Sequence, residues 1–264
     1  MDIEGKSVVI TGAASGIGRA MARRFAREQP RRLVLVDISR EGVDAVAAEL
    51  GAEARTCDMG SESGVAALIR EIESGGAGID LFCGNAGVLR YGGVETPGDE
   101  FQRVMDINVM AHVYAARAAL PGMIRAGGGY FLITASAAGL LTQLGSLSYS
   151  VSKHAALAVA EWIAASYADR GIRVSALCPQ AVESNMTAGT DGSVAGVDGM
   201  LAAEAVADCV VEGLRAERFL ILPHPQVRKY FLNKATDYDR WIQGMSGLQR
   251  RFAELAPTYP TDDD

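Results

Sequence analysis

The chain has 264 residues, 49% of them hydrophobic, and a formal net charge of −7. That length and apolar content suit one α/β domain with a sizeable core, and the acidic balance argues against a nucleic-acid partner. The longest apolar runs fall short of the roughly 20 residues that cross a bilayer, and an acidic start followed at once by a strand is not a signal peptide, so we expect no membrane partner.

Strands and helices are predicted to alternate along the chain. Apolar runs predict strands near 7–11, 33–37, 53–57, 80–84, 130–135, 173–178 and 219–222. Helical patterns fill 17–28, 40–50, 62–74, 99–124, 149–169 and 203–216. The alternation predicts an α/β fold, a doubly wound parallel sheet of about seven strands with helices on both faces. We expect a single domain over 1–264 that includes a C-terminal helical extension at about 225–256.

A glycine-rich turn follows the first predicted strand. Gly12, Gly16 and Gly18 lie between an apolar strand and a segment of helical composition. Glycines let the backbone approach a pyrophosphate closely, and a new helix offers unpaired N–H groups and its positive dipole end. The spacing Gly-x-x-x-Gly-x-Gly departs from the usual dinucleotide signature, and an ordinary turn in a chain with 30 glycines is the alternative. The strand before and the helix after favour a cofactor site.

The second predicted strand ends in an acidic residue, Asp37, about twenty positions past the glycine turn. In a βαβ dinucleotide site such a carboxylate accepts hydrogen bonds from the adenosine ribose hydroxyls and repels a 2′-phosphate. Ala14 and Ser15 occupy the turn, so no basic residue there compensates. The pattern predicts NAD as the cofactor in preference to NADP, although Arg40 is close enough in sequence to reach a phosphate.

Tyr149 and Lys153 are four residues apart in a predicted helix, and Ser136 lies thirteen residues before Tyr149. Positions i and i+4 share a helix face, so the ammonium of Lys153 is expected beside the phenol of Tyr149. A neighbouring cation lowers a tyrosine pKa from its usual value of about 10, which suits a proton-transfer catalyst. The hydroxyl of Ser136 would steady a substrate oxygen. The pattern Tyr-x-x-x-Lys alone is common by chance. Together with the glycine turn, it favours a catalytic role for Tyr149 and Lys153.

Together these motifs resemble the short-chain dehydrogenase/reductase family over nearly the whole chain. The family's glycine turn matches Thr11 to Gly18, its adenine-contacting acid matches Asp58, and its Asn-Ala-Gly turn matches 85–87. The resemblance implies a Rossmann-like fold and an NAD-dependent oxidoreductase that interconverts a secondary alcohol and a ketone. It implies the catalytic residues Asn108, Ser136, Tyr149 and Lys153, with Asn108 anchoring a water that links Lys153 to solvent. Thr11 is expected to make a structural bond near the turn.

The same resemblance implies a set of cofactor contacts along the carboxyl ends of the strands. These are Gly12, Ser15, Gly16, Ile17, Gly18, Asp37, Asp58, Met59, Asn85, Ala86, Gly87, Tyr149, Lys153, Pro179, Val182 and Ser184, with Thr187 as the alternative to Ser184. Two positions depart from the family pattern. Gly84 stands where a second Asn usually precedes the Asn-Ala-Gly turn, and Gln180 stands where Gly commonly follows Pro179.

The substrate side is expected to be lined by 140–147, 89–91 and 181–200. Its apolar residues predict an alicyclic, aromatic or steroid-like substrate; they are Leu140, Leu141, Leu144, Val182 and Met186. Polar contacts to substrate are expected from Ser136, Gln143, Tyr149 and Gln180, and Arg90 is the one candidate for a carboxylate or phosphate. A 3-oxoacyl thioester reductase is the first alternative function, and a catalytically silent NAD-binding redox sensor is the second.

Four cysteines, Cys57, Cys83, Cys178 and Cys209, are widely separated and form no Cys-x-x-Cys pair. This spacing predicts reduced, buried thiols in a cytoplasmic protein and argues against a disulfide framework or a zinc site.

The helices around 108–124 and 152–168 are apolar on more than one face, which predicts burial against a second subunit. The resemblance implies a homodimer or homotetramer built on them. We expect none of His112, His154 and His224 to be catalytic or to bind a metal, with His112 packed at an interface. Trp241, Met245 and Leu248 share one face of a further helix that would dock on the core or on a neighbouring subunit.

Overall fold

A computed structural model describes residues 1–76, 78–184, 186–187 and 196–252. Seven parallel strands form one sheet in the order β3-β2-β1-β4-β5-β6-β7. They are β1 (Ser7–Thr11), β2 (Arg32–Asp37), β3 (Glu53–Thr56), β4 (Leu81–Gly84), β5 (Gly129–Thr134), β6 (Ile172–Leu177) and β7 (Leu220–Ile221). The central strands β1, β4 and β5 are apolar almost throughout because helices cover both of their faces.

Helices connect and flank the strands. They are α1 (Gly16–Ala26), α2 (Arg40–Leu50), α3 (Glu62–Ser74), α4 (Gly98–Met105), α5 (Ala111–Arg125), α6 (Leu147–Tyr167), α7 (Ala203–Arg215), α8 (Gln226–Thr236) and α9 (Tyr238–Phe252). Serine side chains start two of them, because Ser39 accepts a hydrogen bond from the N–H of Gly42 and Ser61 accepts one from Gly64, both at 3.2 Å. None of the helices in the described ranges is both long and apolar enough to span a membrane.

The core consists of two apolar layers, one on each face of the sheet. Helices α1, α2 and α7 pack on one face, where Phe25 and Met21 of α1 are fully buried. Helices α3, α5 and α6 pack on the other, against Phe82 and Phe131 of the central strands. The sheet order reverses between β1 and β4, so the chain leaves these neighbouring strands toward opposite faces and a crevice opens at their carboxyl ends.

The predicted α/β fold is confirmed, and the ends of the seven strands and six helices predicted from sequence differ from the observed ends by no more than two residues. One segment departs from prediction. The long helix expected over 99–124 is interrupted by a π-helical turn at Asp106–Met110, between α4 and α5. Three cysteines are buried as predicted, but Cys209 on α7 is only half-buried, and the four are free thiols.

Candidate active site

A cavity of about 550 Å³ opens at the carboxyl ends of the strands, beside the β1–β4 crevice. Its lining comes from the ends of β1, β2, β4 and β5, from α6 and from the segment after β6. The predicted catalytic and cofactor-binding residues line this cavity except Gly18 and Asn108, which lie directly behind its wall. The sequence therefore located the cavity, and the geometry of each part shows what it can hold.

The glycine turn forms one end of the cavity. Gly12 and Gly16 have positive φ angles of 66° and 50°, which residues other than glycine rarely adopt. A Cβ atom on Gly12 would lie 2.9 Å from the Cα of Ala86, and one on Gly18 would lie 2.0 Å from the carbonyl oxygen of Gly12. The N-cap residue Ser15 makes no side-chain hydrogen bond to the first turn of α1. The turn and the helix N-terminus thus fit a pyrophosphate.

The close contact at Gly18 predicts that one added methyl group there strongly lowers NADH affinity. Gly18→Ala drives a side chain into the backbone of Gly12, so we expect the turn to shift and NADH affinity to fall at least about tenfold, or 1.4 kcal/mol. The matched control is Gly98→Ala at the start of α4, where a Cβ meets nothing within 4 Å. Titration of NADH fluorescence checks both variants, and equal affinities would show that the turn does not hold the cofactor.

Thr11 and Asn85 join the ends of the central strands. The Thr11 hydroxyl accepts hydrogen bonds from the backbone N–H groups of Asn85 and Ala86 at 2.9 and 3.0 Å. The amide of Asn85 donates to the Thr11 carbonyl at 3.1 Å and accepts from the Thr134 hydroxyl at 3.1 Å. The predicted structural bond of Thr11 is confirmed, and these contacts fix three strand ends around the cavity.

Asp37 lies at the end of β2 with its carboxylate against the glycine turn. One oxygen accepts from the N–H of Ala14 at 3.0 Å and the other from the N–H of Ser39 at 2.9 Å. Arg40 is mostly exposed, does not line the cavity, and lies 3.8 Å from Asp44 one turn along α2. The Asp37 carboxylate therefore gives this part of the cavity a negative charge, which suits hydrogen bonds from the two ribose hydroxyls.

Arg103 of α4 is a lining residue that the sequence did not reveal. Its guanidinium donates to both carboxylate oxygens of Asp58, at 3.2 and 3.1 Å. Arg103 is 45 positions from Asp58 and sits in an ordinary amphipathic helix, so no local pattern signals the pair. Ile38, directly after Asp37, is 64% exposed and also lines this end of the cavity.

Tyr149, Ser136 and Lys153 meet at the floor of the cavity. The Ser136 hydroxyl lies beside the Tyr149 phenol, donates to the Pro179 carbonyl at 3.4 Å and accepts from the N–H of Ala138 at 3.1 Å. The ammonium of Lys153 is 5.5 Å from the centre of the Tyr149 ring and donates to the Thr134 carbonyl at 2.9 Å. The phenol, the hydroxyl and the ammonium therefore converge on one region of the cavity.

Burial governs the acidity of this group. It lowers the pKa of Lys153 to about 8 and raises the pKa of Tyr149 above its usual value, while the adjacent Ser136 hydroxyl opposes the rise. The prediction that the Tyr149 pKa lies below its usual value is therefore wrong, because burial has the larger effect. Loss of solvent favours the neutral form of each group over the charged form.

Asn108 lies in the π-helical turn and is fully buried. Its amide oxygen accepts from the N–H of Val88 at 2.8 Å, and its amide nitrogen donates to the Val88 carbonyl at 2.9 Å and to the Ser152 hydroxyl at 3.0 Å. A Cβ on Gly87 would lie 3.2 Å from the Asn108 oxygen and 3.4 Å from the Lys153 nitrogen. Asn108 thus fixes the chain after β4 and lies close to Lys153.

The substrate side differs in part from prediction. Gln143, Gln180, Val182 and Met186 line the cavity, but Leu140, Leu141 and Leu144 do not. Leu140 is 4% exposed and belongs to the core on the α6 face, because the turn after Ser136 directs it inward. Arg90 lines the cavity as expected, and the alternative hydroxyls Ser184 and Thr187 both do.

The fold agrees with comparisons to known proteins. The sequence matches the short chain dehydrogenase family over residues 6–193. The chain belongs to the short-chain dehydrogenase/reductase family. A 1-deoxy-11-beta-hydroxypentalenate dehydrogenase of Streptomyces exfoliatus is 37% identical over 238 residues, 86% of each protein. A meso-2,3-butanediol dehydrogenase of Serratia marcescens is 35% identical over 193 residues, 72% of this chain and 76% of the relative.

Among solved structures, a short-chain dehydrogenase/reductase from Burkholderia phymatum in complex with NAD is similar over 99% of both chains, with a TM-score of 0.80 and 26% identity. The family match ends at residue 193, before α7, α8 and α9. The protein is therefore an oxidoreductase of this family with further helices after the matched region.

The departure from the family pattern at Gly84 is matched by the position of the His112 side chain. A Cβ on Gly84 would lie 2.6 Å from Nδ1 of His112, so the imidazole occupies the space that a side chain at 84 would need. His112 is only 3% exposed, and Nε2 has no hydrogen-bond partner. His112 is therefore buried within the chain itself, against the end of β4. None of the three histidines lines the cavity.

Burial makes His112 a source of acid sensitivity. It lowers the His112 pKa from 6.5 to about 3, with a smaller contribution from Lys153. Below pH 6.5 the unfolded chain binds a proton that the folded enzyme does not, so stability falls as the pH drops toward 3. Between pH 7 and pH 5, we expect the wild type to lose about 2 kcal/mol more of its free energy of unfolding than His112→Gln loses. Urea titrations at both pH values check this, and equal losses would exclude His112 as the cause.

Proposed function

We propose that this protein is an NAD-dependent dehydrogenase that interconverts a secondary alcohol and a ketone, with Tyr149 as the general base. One observation carries the proposal: the phenol of Tyr149, the hydroxyl of Ser136 and the ammonium of Lys153 converge in the same cavity as the glycine turn. A proton-transfer group and a dinucleotide cradle are the two components that alcohol oxidation needs.

The roles follow from the contacts. The substrate hydroxyl binds between Ser136 and Tyr149, which both line the cavity. Tyr149 takes the hydroxyl proton in oxidation and returns it in reduction. When NAD is bound, its nicotinamide supplies the hydride acceptor for the carbon that bears the hydroxyl. Lys153, whose pKa of about 8 leaves most of it charged at pH 7, stabilises the phenolate electrostatically.

Removal of the proton from Tyr149 involves Lys153 and Asn108. Lys153 is buried, with one hydrogen bond to the Thr134 carbonyl, and lies near the Asn108 amide at Gly87. We propose that Asn108 organises the route by which the proton reaches solvent. Its three hydrogen bonds to Val88 and Ser152 hold this part of the chain in one arrangement.

NAD is favoured over NADP by the charge near the ribose position. Asp37 presents a carboxylate there, and Arg40 lies next to an acid of its own helix. The NAD complex of the similar Burkholderia phymatum protein supports the same cofactor. The other predicted cofactor contacts, from Ser15 to Ser184, line the cavity except Gly18 and are proposed to bind the same molecule.

The substrate is proposed to be an apolar secondary alcohol that carries a second polar group. Leu89, Ala138, Val182 and Met186 supply apolar lining. Gln143 and Gln180 can bind a second hydroxyl, as the name of the butanediol relative suggests. Arg90 can bind a carboxylate, as the name of the hydroxypentalenate relative suggests.

The test is NAD reduction with a panel of secondary alcohols: cyclic, aromatic and steroidal compounds, a vicinal diol, a hydroxycarboxylate and a 3-hydroxyacyl thioester. We expect turnover with NAD, faster than with NADP. Binding of NADH without turnover of any alcohol would favour the redox-sensor alternative, and turnover only of 3-hydroxyacyl thioesters would favour the thioester-reductase alternative.

We further propose a cytoplasmic homodimer or homotetramer that uses α5 and α6. Exposed apolar side chains on α6 support this, with Trp162 at 63% and Val151 at 40% exposure, and the free thiols suit a reducing compartment. Light scattering after size exclusion measures the assembly, and Trp162→Glu should dissociate it. A monomeric wild type would contradict this assignment.

A further inference from the structure

Helix α8 lies outside the region matched to the family, yet one of its faces points toward the substrate side of the site. Val227, Tyr230 and Lys234 follow the i, i+3, i+7 spacing of a single helix face. Val227 is fully buried in the core, Tyr230 is half-buried and Lys234 is 6% exposed. A lysine so deeply buried near an active site needs a physical reason, because removing an ammonium from water is costly.

The ammonium of Lys234 is bound by carbonyl groups and aromatic rings. It donates to the carbonyls of Leu140 and Leu141, both at 2.9 Å. It also lies 4.8 Å from the ring centre of Trp241 and 5.4 Å from that of Tyr238, both on α9. Two hydrogen bonds and two cation–π contacts offset the loss of hydration. Lys234 thereby ties α8 and α9 to a segment 94 residues earlier in the chain.

That segment carries Ser136. The Ser136 hydroxyl accepts from the N–H of Ala138, and the turn ends at Leu140 and Leu141, the residues that Lys234 binds. On its other side the segment is packed against α6, since a Cβ on Gly139 would lie 2.4 Å from the Lys153 carbonyl. The Ser136 segment is therefore held by packing on α6 and by the ammonium of Lys234, and the Ser136 hydroxyl also donates to the Pro179 carbonyl at 3.4 Å.

Tyr230, one turn earlier on α8, is linked to a different lining residue of the cavity, Gln180. Its hydroxyl donates to Asp198 at 3.0 Å, and the other oxygen of Asp198 accepts from the side-chain amide of Gln180, also at 3.0 Å. The backbone N–H of Gln180 donates to His224, just before α8, at 3.1 Å. The amide nitrogen of Gln180 is held by a carboxylate, so the orientation of its side chain in the cavity depends on Tyr230 through Asp198.

We propose that α8 clamps the substrate side of the site: Lys234 positions the segment that carries Ser136, and Tyr230 positions Gln180 through Asp198. Both are positioning residues, because neither lines the cavity. The inference rests on the proposed alcohol oxidation for its kinetic consequences. Its structural consequence, restraint of two separate segments by one helix, does not depend on that function.

The kinetic test uses Lys234→Met, which keeps the length and apolar contacts of the side chain. Lys229→Met, on the exposed face of the same helix, is the matched control. Misplacement of Ser136 slows the chemical step, so we expect kcat to fall about tenfold and the primary deuterium isotope effect on kcat to rise, with NADH affinity unchanged. Tyr230→Phe should instead raise the KM for the alcohol about fivefold with kcat nearly constant.

A purely structural role would give a different result. Partial unfolding of Lys234→Met would lower kcat and the NADH-binding fraction together and leave the isotope effect unchanged. That outcome, or wild-type kinetics in both variants, would overturn the proposal. If Lys234→Met is not recovered folded, Lys234→Gln removes the charge but keeps a donor, and the same rise in isotope effect is expected.

Backbone amide hydrogen exchange separates the clamp from the proposed function. Lys234→Met should speed exchange in residues 137–146 and not in 180–184, and Tyr230→Phe should do the reverse. These shifts are expected even if the wild type oxidises no alcohol, in which case the proposed function fails and the clamp stands. Unchanged exchange in both segments would refute the clamp, whatever the activity.

Discussion

Replacing Tyr149 with phenylalanine is expected to lower alcohol oxidation about a thousandfold or more while leaving NADH affinity within about twofold. The substitution removes one oxygen atom and keeps the ring, so the packing at the start of α6 is retained. Without the phenol, the group proposed to take the hydroxyl proton is missing from the part of the cavity that Ser136 lines. Steady-state rates and NADH fluorescence titrations measure the two quantities separately.

The matched control is Tyr167→Phe at the far end of the same helix, where the ring packs on Trp162 away from the cavity. It removes the same atom and should leave turnover unchanged. Comparable activity in the Tyr149 and Tyr167 variants would remove Tyr149 from the mechanism. Loss of NADH binding along with turnover in Tyr149→Phe would instead point to a mainly structural role.

Asp37→Ala is expected to lower the preference for NAD over NADP at least about tenfold, as the ratio of the two kcat/KM values. A carboxylate about 4 Å from a phosphate charge near a protein surface opposes it by about 4 kcal/mol, so even partial relief exceeds the 1.4 kcal/mol of a tenfold change. Activity with NAD should also decrease, because Asp37 accepts the N–H of Ala14 in the glycine turn.

Glu49→Ala serves as the control for Asp37→Ala. It removes an acid of the same charge at the far end of the adjoining helix, where Glu49 pairs with Arg23 and does not line the cavity. Its cofactor ratio should match that of the wild type. An unchanged ratio in Asp37→Ala would show that this carboxylate does not discriminate between the two cofactors.

Local patterns were sufficient to predict the sheet and the cofactor side of the cavity. Val8 to Ile10 form a short apolar run before a glycine turn, which predicted a buried strand, and Asp37 ends the next strand about twenty positions past the turn. The carboxyl ends of parallel strands meet at one edge, so motifs at Gly12, Asn85 and Ser136 had to converge there. The spacing of Tyr149 and Lys153 gave their shared helix face directly.

Contacts that depend on packing between distant segments were not predictable from local patterns. His112 fills the space at Gly84, and the turn after Ser136 sends Leu140 into the core instead of the cavity. Both results depend on the path of the chain in three dimensions. The raised pKa of Tyr149 has the same origin, since the sequence shows its cationic neighbour but not the extent of its burial.

The most direct test of hydride transfer is the fate of deuterium from a secondary alcohol labelled at the carbon that bears the hydroxyl. The proposed reaction predicts reduced nicotinamide carrying one deuterium on a single face, formed together with the ketone and not formed by Tyr149→Phe. Unlabelled reduced nicotinamide, or labelled product from Tyr149→Phe at the wild-type rate, would contradict it.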